Sequence, residues 1–74
     1  GNDFMYPARM RLTVNGEPRE IDARTVDALV AALALPRDRV AIELNGAIVP
    51  KAERAGRSLR DGDVLEIVTL VGGG

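Results

Sequence analysis

Two Asn-Gly dipeptides, Asn15-Gly16 and Asn45-Gly46, each close a run in which apolar and polar residues alternate, and this pairing restricts the chain more than any other feature. Met10, Leu12 and Val14 alternate with Arg11 and Thr13, the period of a half-buried strand. Asn-Gly supplies the two positive φ values of a type I′ turn, whose twist matches that of the flanking strands. The chain is therefore predicted to double back into a second strand through Ile21 and Ala23. Pro18 has no N–H to give to a ladder, which puts that second strand at an edge. Val40, Ile42 and Leu44 alternate with Ala41 and Glu43 up to the second Asn-Gly, and Ile48 and Val49 then lead to Pro50, which predicts another strand, turn and short strand.

Between the two hairpins lies the one helical pattern. Thr25 is a good N-cap, Asp27 sits in the first turn where the helix dipole favours negative charge, and Val26, Leu29, Val30 and Leu33 recur at helical spacing. A helix of about ten residues is predicted, closed at Leu35 because Pro36 disfavours helical geometry in the residue before it. Residues 51–60 are polar and irregular, with Leu59 as the apolar anchor of a crossing loop, and Asp61-Gly62-Asp63 makes a turn. Val64 to Val71 is rich in branched residues and apolar on both faces except at Glu66 and Thr69, as suits a central strand. The order strand, strand, helix, strand, strand, strand is that of an α+β, β-grasp (ubiquitin-like) domain, a mixed sheet of about four or five strands with one helix packed across one face.

Composition narrows the function classes. A chain of 74 residues makes one small domain with no room for a deep cleft. It contains neither Cys nor His, which removes disulfides, the commonest metal ligands, the commonest general base and the strongest nucleophile. The expectation is therefore no metal, no bound cofactor and no catalysis of its own. Ser58 and Thr25 have no His to activate them and serve as turn and cap residues. Glu43 and Glu66 fit a solvated strand face, and Asp61 and Asp63 flank a turn glycine where Asp bonds nearby backbone.

Ten basic and eleven acidic residues leave a formal charge of −1, and Arg9, Arg11, Arg37, Arg39, Arg54, Arg57 and Arg60 are scattered as expected of solvated surface. With aromatics only at Phe4 and Tyr6, neither a phosphate-binding stripe nor a base-stacking platform is present, so no nucleic-acid partner is expected. The longest apolar run, Ala28 to Leu35, ends at Pro36 and is far short of the ~20 residues that span a bilayer. No basic stretch followed by an apolar core opens the chain, and the expectation is a soluble cytoplasmic protein with no membrane partner. Residues 1–9 lack periodicity and read as a tag remnant or an N-terminal extension. The native start falls at Met5 or Met10, residues 10–71 form the domain, and residues 72–74 form a tail.

That tail, Gly72-Gly73-Gly74, directly follows the most regular strand. At an average glycine usage of about 7%, three terminal glycines arise by chance in roughly three chains in ten thousand. Glycine has no Cβ, so the tail is thin and flexible enough to enter a narrow channel in another protein, with a carboxylate at its tip. A free α-carboxylate, ionised at neutral pH, is a poor electrophile until its oxygen becomes a better leaving group, so activation has to come from elsewhere. Val68, Leu70 and Val64 are predicted on the sheet face opposite the helix, where an exposed apolar patch marks a partner surface.

From Met10 to Gly74 the chain resembles the ThiS family of ubiquitin-like sulfur carriers, through "LTVNGEPREI", "TVDALVAAL", "VAIELNGAIVP" and above all "DGDVLEIVTLVGGG". The resemblance implies that the protein is not an enzyme but a cosubstrate. An adenylating partner like ThiF uses ATP and magnesium to form an acyl-adenylate on Gly74, and a sulfur donor such as a cysteine desulfurase then yields a thiocarboxylate. A thiazole synthase like ThiG accepts that sulfur in thiamin biosynthesis. The MoaD carriers of molybdopterin synthesis share the fold and the terminal Gly-Gly, but their tails usually carry prolines and an aromatic residue that "IVTLVGGG" lacks. Gly72 matches more loosely than Gly73 and Gly74. A ubiquitin-like adaptor that binds without covalent chemistry is the other alternative.

Overall fold

The computed structural model describes residues 9–71. The expectation for residues 1–9 falls almost wholly, and that for the tail 72–74 wholly, outside them. Five strands run in chain order as β1 (Met10–Val14), β2 (Glu17–Ile21), β3 (Val40–Leu44), β4 (Ala47–Ile48) and β5 (Val64–Thr69), with one helix, α1 (Val26–Ala32), between β2 and β3. They form a single mixed sheet in the order β2-β1-β5-β3-β4. β5 is central, parallel to β1 and antiparallel to β3, and β2, which carries Pro18, lies at an edge. This is the α+β, β-grasp arrangement predicted.

Both Asn-Gly pairs form the turns expected of them. Asn15 and Gly16 have φ of 50° and 82°, and Asn45 and Gly46 have 52° and 86°. Val14 pairs with Glu17 and Leu44 with Ala47, so each hairpin closes through two residues, and the strand periodicity sets which side chains face inward.

The helix lies across one face because its apolar stripe has nowhere else to go. Val26, Leu29 and Val30 are fully buried, and they share one core with Leu12 and Val14 of β1, Ile21 of β2, Val40, Ile42 and Leu44 of β3, and Leu65 and Ile67 of β5. Val49 and Leu59 complete it, the latter as the anchor predicted for the crossing loop. The Thr25 hydroxyl accepts from the Ala28 N–H at 3.1 Å, which caps the helix N-terminus as predicted.

Several expectations need correction. β2 ends at Ile21 and not at Ala23, and β5 ends at Thr69 and not at Val71. The helix ends at Ala32, not at Leu35, because the chain turns left-handed at Ala34 (φ 55°). There the Leu35 N–H donates to the Val30 carbonyl and the Ala34 N–H to the Ala31 carbonyl, both at 3.0 Å, the two bonds of a Schellman ending. Arg54, placed on the solvated surface from sequence, is buried at 5% exposure. Its Nη1 donates to the Arg37 carbonyl at 2.9 Å and its Nη2 to the Val40 carbonyl at 2.7 Å, so the guanidinium ties the segment after Lys51–Glu53 to the start of β3.

Candidate functional site

The glycine tail singled out in the sequence follows β5, and β5 is held on both sides. Toward β1, the Asn15 N–H donates to the Leu65 carbonyl at 2.9 Å, and the Asn15 side chain then continues the ladder where the main chain has turned away. Its Oδ1 accepts from the Ile67 N–H at 2.7 Å and its Nδ2 donates to the Ile67 carbonyl at 3.0 Å. Toward β3, five residue pairs run from Val40–Thr69 to Leu44–Leu65. At the far end, Asn45 accepts the Val64 N–H on Oδ1 at 2.9 Å and donates from Nδ2 to Asp63 at 3.0 Å. Both turn asparagines thus have a second role as clamps on the last strand. The signal that distinguishes it is the choice of Asn over Asp, since the clamp at Ile67 needs a donor as well as an acceptor.

The strand's exit is equally defined. The Leu70 N–H donates to the Arg39 carbonyl, so the chain leaves the sheet beside the 3₁₀ turn Arg37–Arg39. Val71, the last described residue, is exposed. Arg54, by holding the carbonyls of Arg37 and Val40, fixes the turn against which the exit is registered. Sequence reading missed this role, because an isolated arginine in an irregular polar stretch carries no periodic signal of burial. In the same turn, Asp38 accepts a hydrogen bond from Lys51. That bond and the lysine charge hold the Asp38 carboxyl below its ordinary value of 3.8.

The residues singled out for a partner surface lie where they were expected. Val64, Val68 and Leu70 are 44%, 59% and 53% exposed, and Leu65 and Ile67, which alternate with them, are buried under the helix. Ile48 of β4 adds to the uncovered face, since it pairs with Glu43, whose neighbour on β5 is Glu66. Glu43 and Glu66 are exposed, as predicted, but they stand directly opposite one another on adjacent strands. Asp63 accepts from the Arg60 N–H at 2.7 Å, a local turn bond, whereas Asp61 reaches back to the Arg11 N–H at 2.9 Å and ties the turn to β1. Among the described residues no group of three or more His, Cys, Asp or Glu gathers as a metal-ligand set, and no helix is long and apolar enough to cross a membrane. Surface depressions of about 300–410 Å³ are open grooves.

The described residues thus form a last strand held on both sides, whose exit is fixed beside the Arg37–Arg39 turn. The relatives of the chain agree in type. It is 38% identical over 61 residues to the sulfur carrier protein ThiS of Thermus thermophilus, spanning 82% of this chain and 95% of that one. It is 47% identical over 66 residues to a thiazole synthase of Paramagnetospirillum magneticum, where the match takes in 88% of this chain and only 20% of the relative's length. The crystal structure of the thiamine biosynthesis protein ThiS from Geobacter metallireducens superimposes with a TM-score of 0.73 at 36% identity, covering 88% of this chain and all of that one. The model of the ThiS family matches residues 12–74, and the chain belongs to that family.

Proposed function

We propose that the protein is a sulfur carrier of thiamin biosynthesis whose reacting group is the Gly74 carboxylate. The observation that carries this reading is its 38% identity across 95% of the Thermus sulfur carrier, together with a family match that runs through to Gly74. A carboxylate oxygen of Gly74 attacks the α-phosphorus of ATP on a ThiF-like enzyme, pyrophosphate leaves, and an acyl-adenylate forms. The terminal sulfur of a persulfide, from a donor such as a cysteine desulfurase, then attacks the carbonyl carbon and expels AMP, and two electrons from a thiol reductant split the resulting acyl disulfide into a thiocarboxylate and the donor's thiol. A thiazole synthase takes up that sulfur. Relatives in which this domain matches one fifth of a longer thiazole synthase support that pairing.

The division of labour follows from chemistry. A chain with no His and no Cys has poor means to activate its own terminus, so ATP and magnesium belong to the adenylating enzyme, and the cycle belongs in the cytoplasm. The carrier supplies a rigid β5 that delivers Gly72, Gly73 and Gly74 into the partner, with Val64, Val68 and Leu70 resting against it. The test is carrier-dependent ATP–pyrophosphate exchange by a ThiF-like enzyme. Exchange is expected with the full chain and lost when Gly73 and Gly74 are removed, while the melting temperature stays unchanged. Equal exchange with the shortened chain would refute the assignment.

A further inference from the structure

The exposed sheet face carries an electrostatic feature that neither its packing nor the proposed function explains. Glu43 of β3 and Glu66 of β5 are directly opposed in an antiparallel pair, so their side chains leave one face of the sheet from Cβ atoms about 4.5–5.5 Å apart. Like charges so placed disfavour the fold, and a neighbouring cation ordinarily relieves them. None does here. The ion pairs among the described residues are Arg37–Asp27, Lys51–Asp38 and Arg57–Glu53, and neither glutamate takes part. Two cations line the same groove: Arg54 spends its two terminal nitrogens on the carbonyls of Arg37 and Val40, and Lys51 is paired with Asp38.

The surroundings of the pair are apolar. Val68 follows Glu66 by two residues on the same face, Val64 precedes it by two, Ala41 sits opposite Val68, and Ile48 pairs with Glu43 on the other side. All of them are exposed. A groove of about 300 Å³ runs through Glu43, Ile48, Glu66 and Val68. The result is a doubly negative spot set in an apolar surface, which is complementary to a single Arg or Lys projecting from an apolar surface on a partner.

Position says which partner. Glu66 lies four residues before Leu70, roughly 13 Å along an extended strand at about 3.3 Å per residue. An interface of ordinary size covers about 800 Å² on each side, a patch roughly 16 Å in radius. A protein that receives the tail at Leu70 and Val71 therefore also covers Glu66 and Glu43. We propose, resting on the sulfur-carrier reading, that the adenylating enzyme which takes up the tail places an Arg or Lys side chain between Glu43 and Glu66. The pair then serves to recognise that enzyme, at the expense of the carrier's own stability.

The test is the affinity of a ThiF-like adenylating enzyme for the full chain and for E43Q/E66Q and V68K, titrated at low and high salt and read beside the melting temperature. The double variant is expected to bind about tenfold more weakly at low salt, to lose most of the salt dependence, and to melt no lower than the parent. Weakening with preserved melting separates recognition from misfolding. Binding of E43Q/E66Q within twofold of the parent, with V68K impaired, would overturn the cation and leave the face as a docking surface. Full binding by both variants, with exchange intact, would overturn the docking of this face as well. A parent chain that is neither bound nor adenylated would bring down the carrier reading and this inference together.

Discussion

The side-chain amide of Asn15 pairs with the backbone of Ile67 as a strand residue would, accepting its N–H at 2.7 Å and donating to its carbonyl at 3.0 Å. The turn residue of the first hairpin thereby holds the middle of the last strand, 52 residues away in sequence. Two functions meet at one position, a positive φ and a bidentate clamp, and substitution separates them. Asn15→Gly keeps the turn and loses the clamp, with an expected loss of about 1–2 kcal/mol in urea unfolding from two unmade, part-buried bonds. Asn15→Ala loses both and is expected to fall about 1 kcal/mol further, the penalty of a left-handed Cβ. Equal stability of the two variants would show that the turn conformation is unstrained.

Ala34 occupies, with φ of 55°, the position after the helix where glycine is usual. Its Cβ is the only thing that opposes the geometry, since both bonds of the Schellman ending are formed. Ala34→Gly is expected to raise stability by about 1 kcal/mol, the relief of strain outweighing the extra entropy of the unfolded chain. The midpoint of urea unfolding should rise with its slope unchanged.

Arg54 joins the backbone carbonyls of Arg37 and Val40 through its two terminal nitrogens. Arg54→Ala removes both bonds and opens a cavity, for an expected loss of about 3 kcal/mol. Arg54→Met fills the space without serving the carbonyls and should lose less. In both variants the Leu70 amide, which donates to the carbonyl of Arg39 within the braced turn, is expected to exchange with solvent faster than amides of β1. Uniform acceleration across the sheet would mean that Arg54 supports the whole domain and not the tail's exit.

The elements legible in the sequence are those set by residues close together along the chain. The Asn-Gly turns, the alternating strands and the Thr25 cap each depend on neighbours within about four positions; the turns and the cap are found where they were read, and β2 and β5 end two residues earlier than read. What escaped depends on pairing across the fold. The early end of the helix rests on an alanine doing what glycine usually does. The burial of Arg54 depends on two carbonyls 14 and 17 residues away. The opposition of Glu43 and Glu66 requires the register of β3 against β5, which no local pattern carries. For the candidate site, the exposed apolar side chains of β5 were legible from the C-terminal segment alone. The clamps that aim that strand were not.

The central claim is that Gly74 carries sulfur, and the most direct measurement is the intact mass of the protein after incubation with ATP, magnesium, a sulfide source and a ThiF-like adenylating enzyme. A gain of about 16 Da, one carboxylate oxygen exchanged for sulfur and confined to the C-terminal peptide, is the predicted result. An unchanged mass, with the same enzyme active on its own carrier, would contradict it.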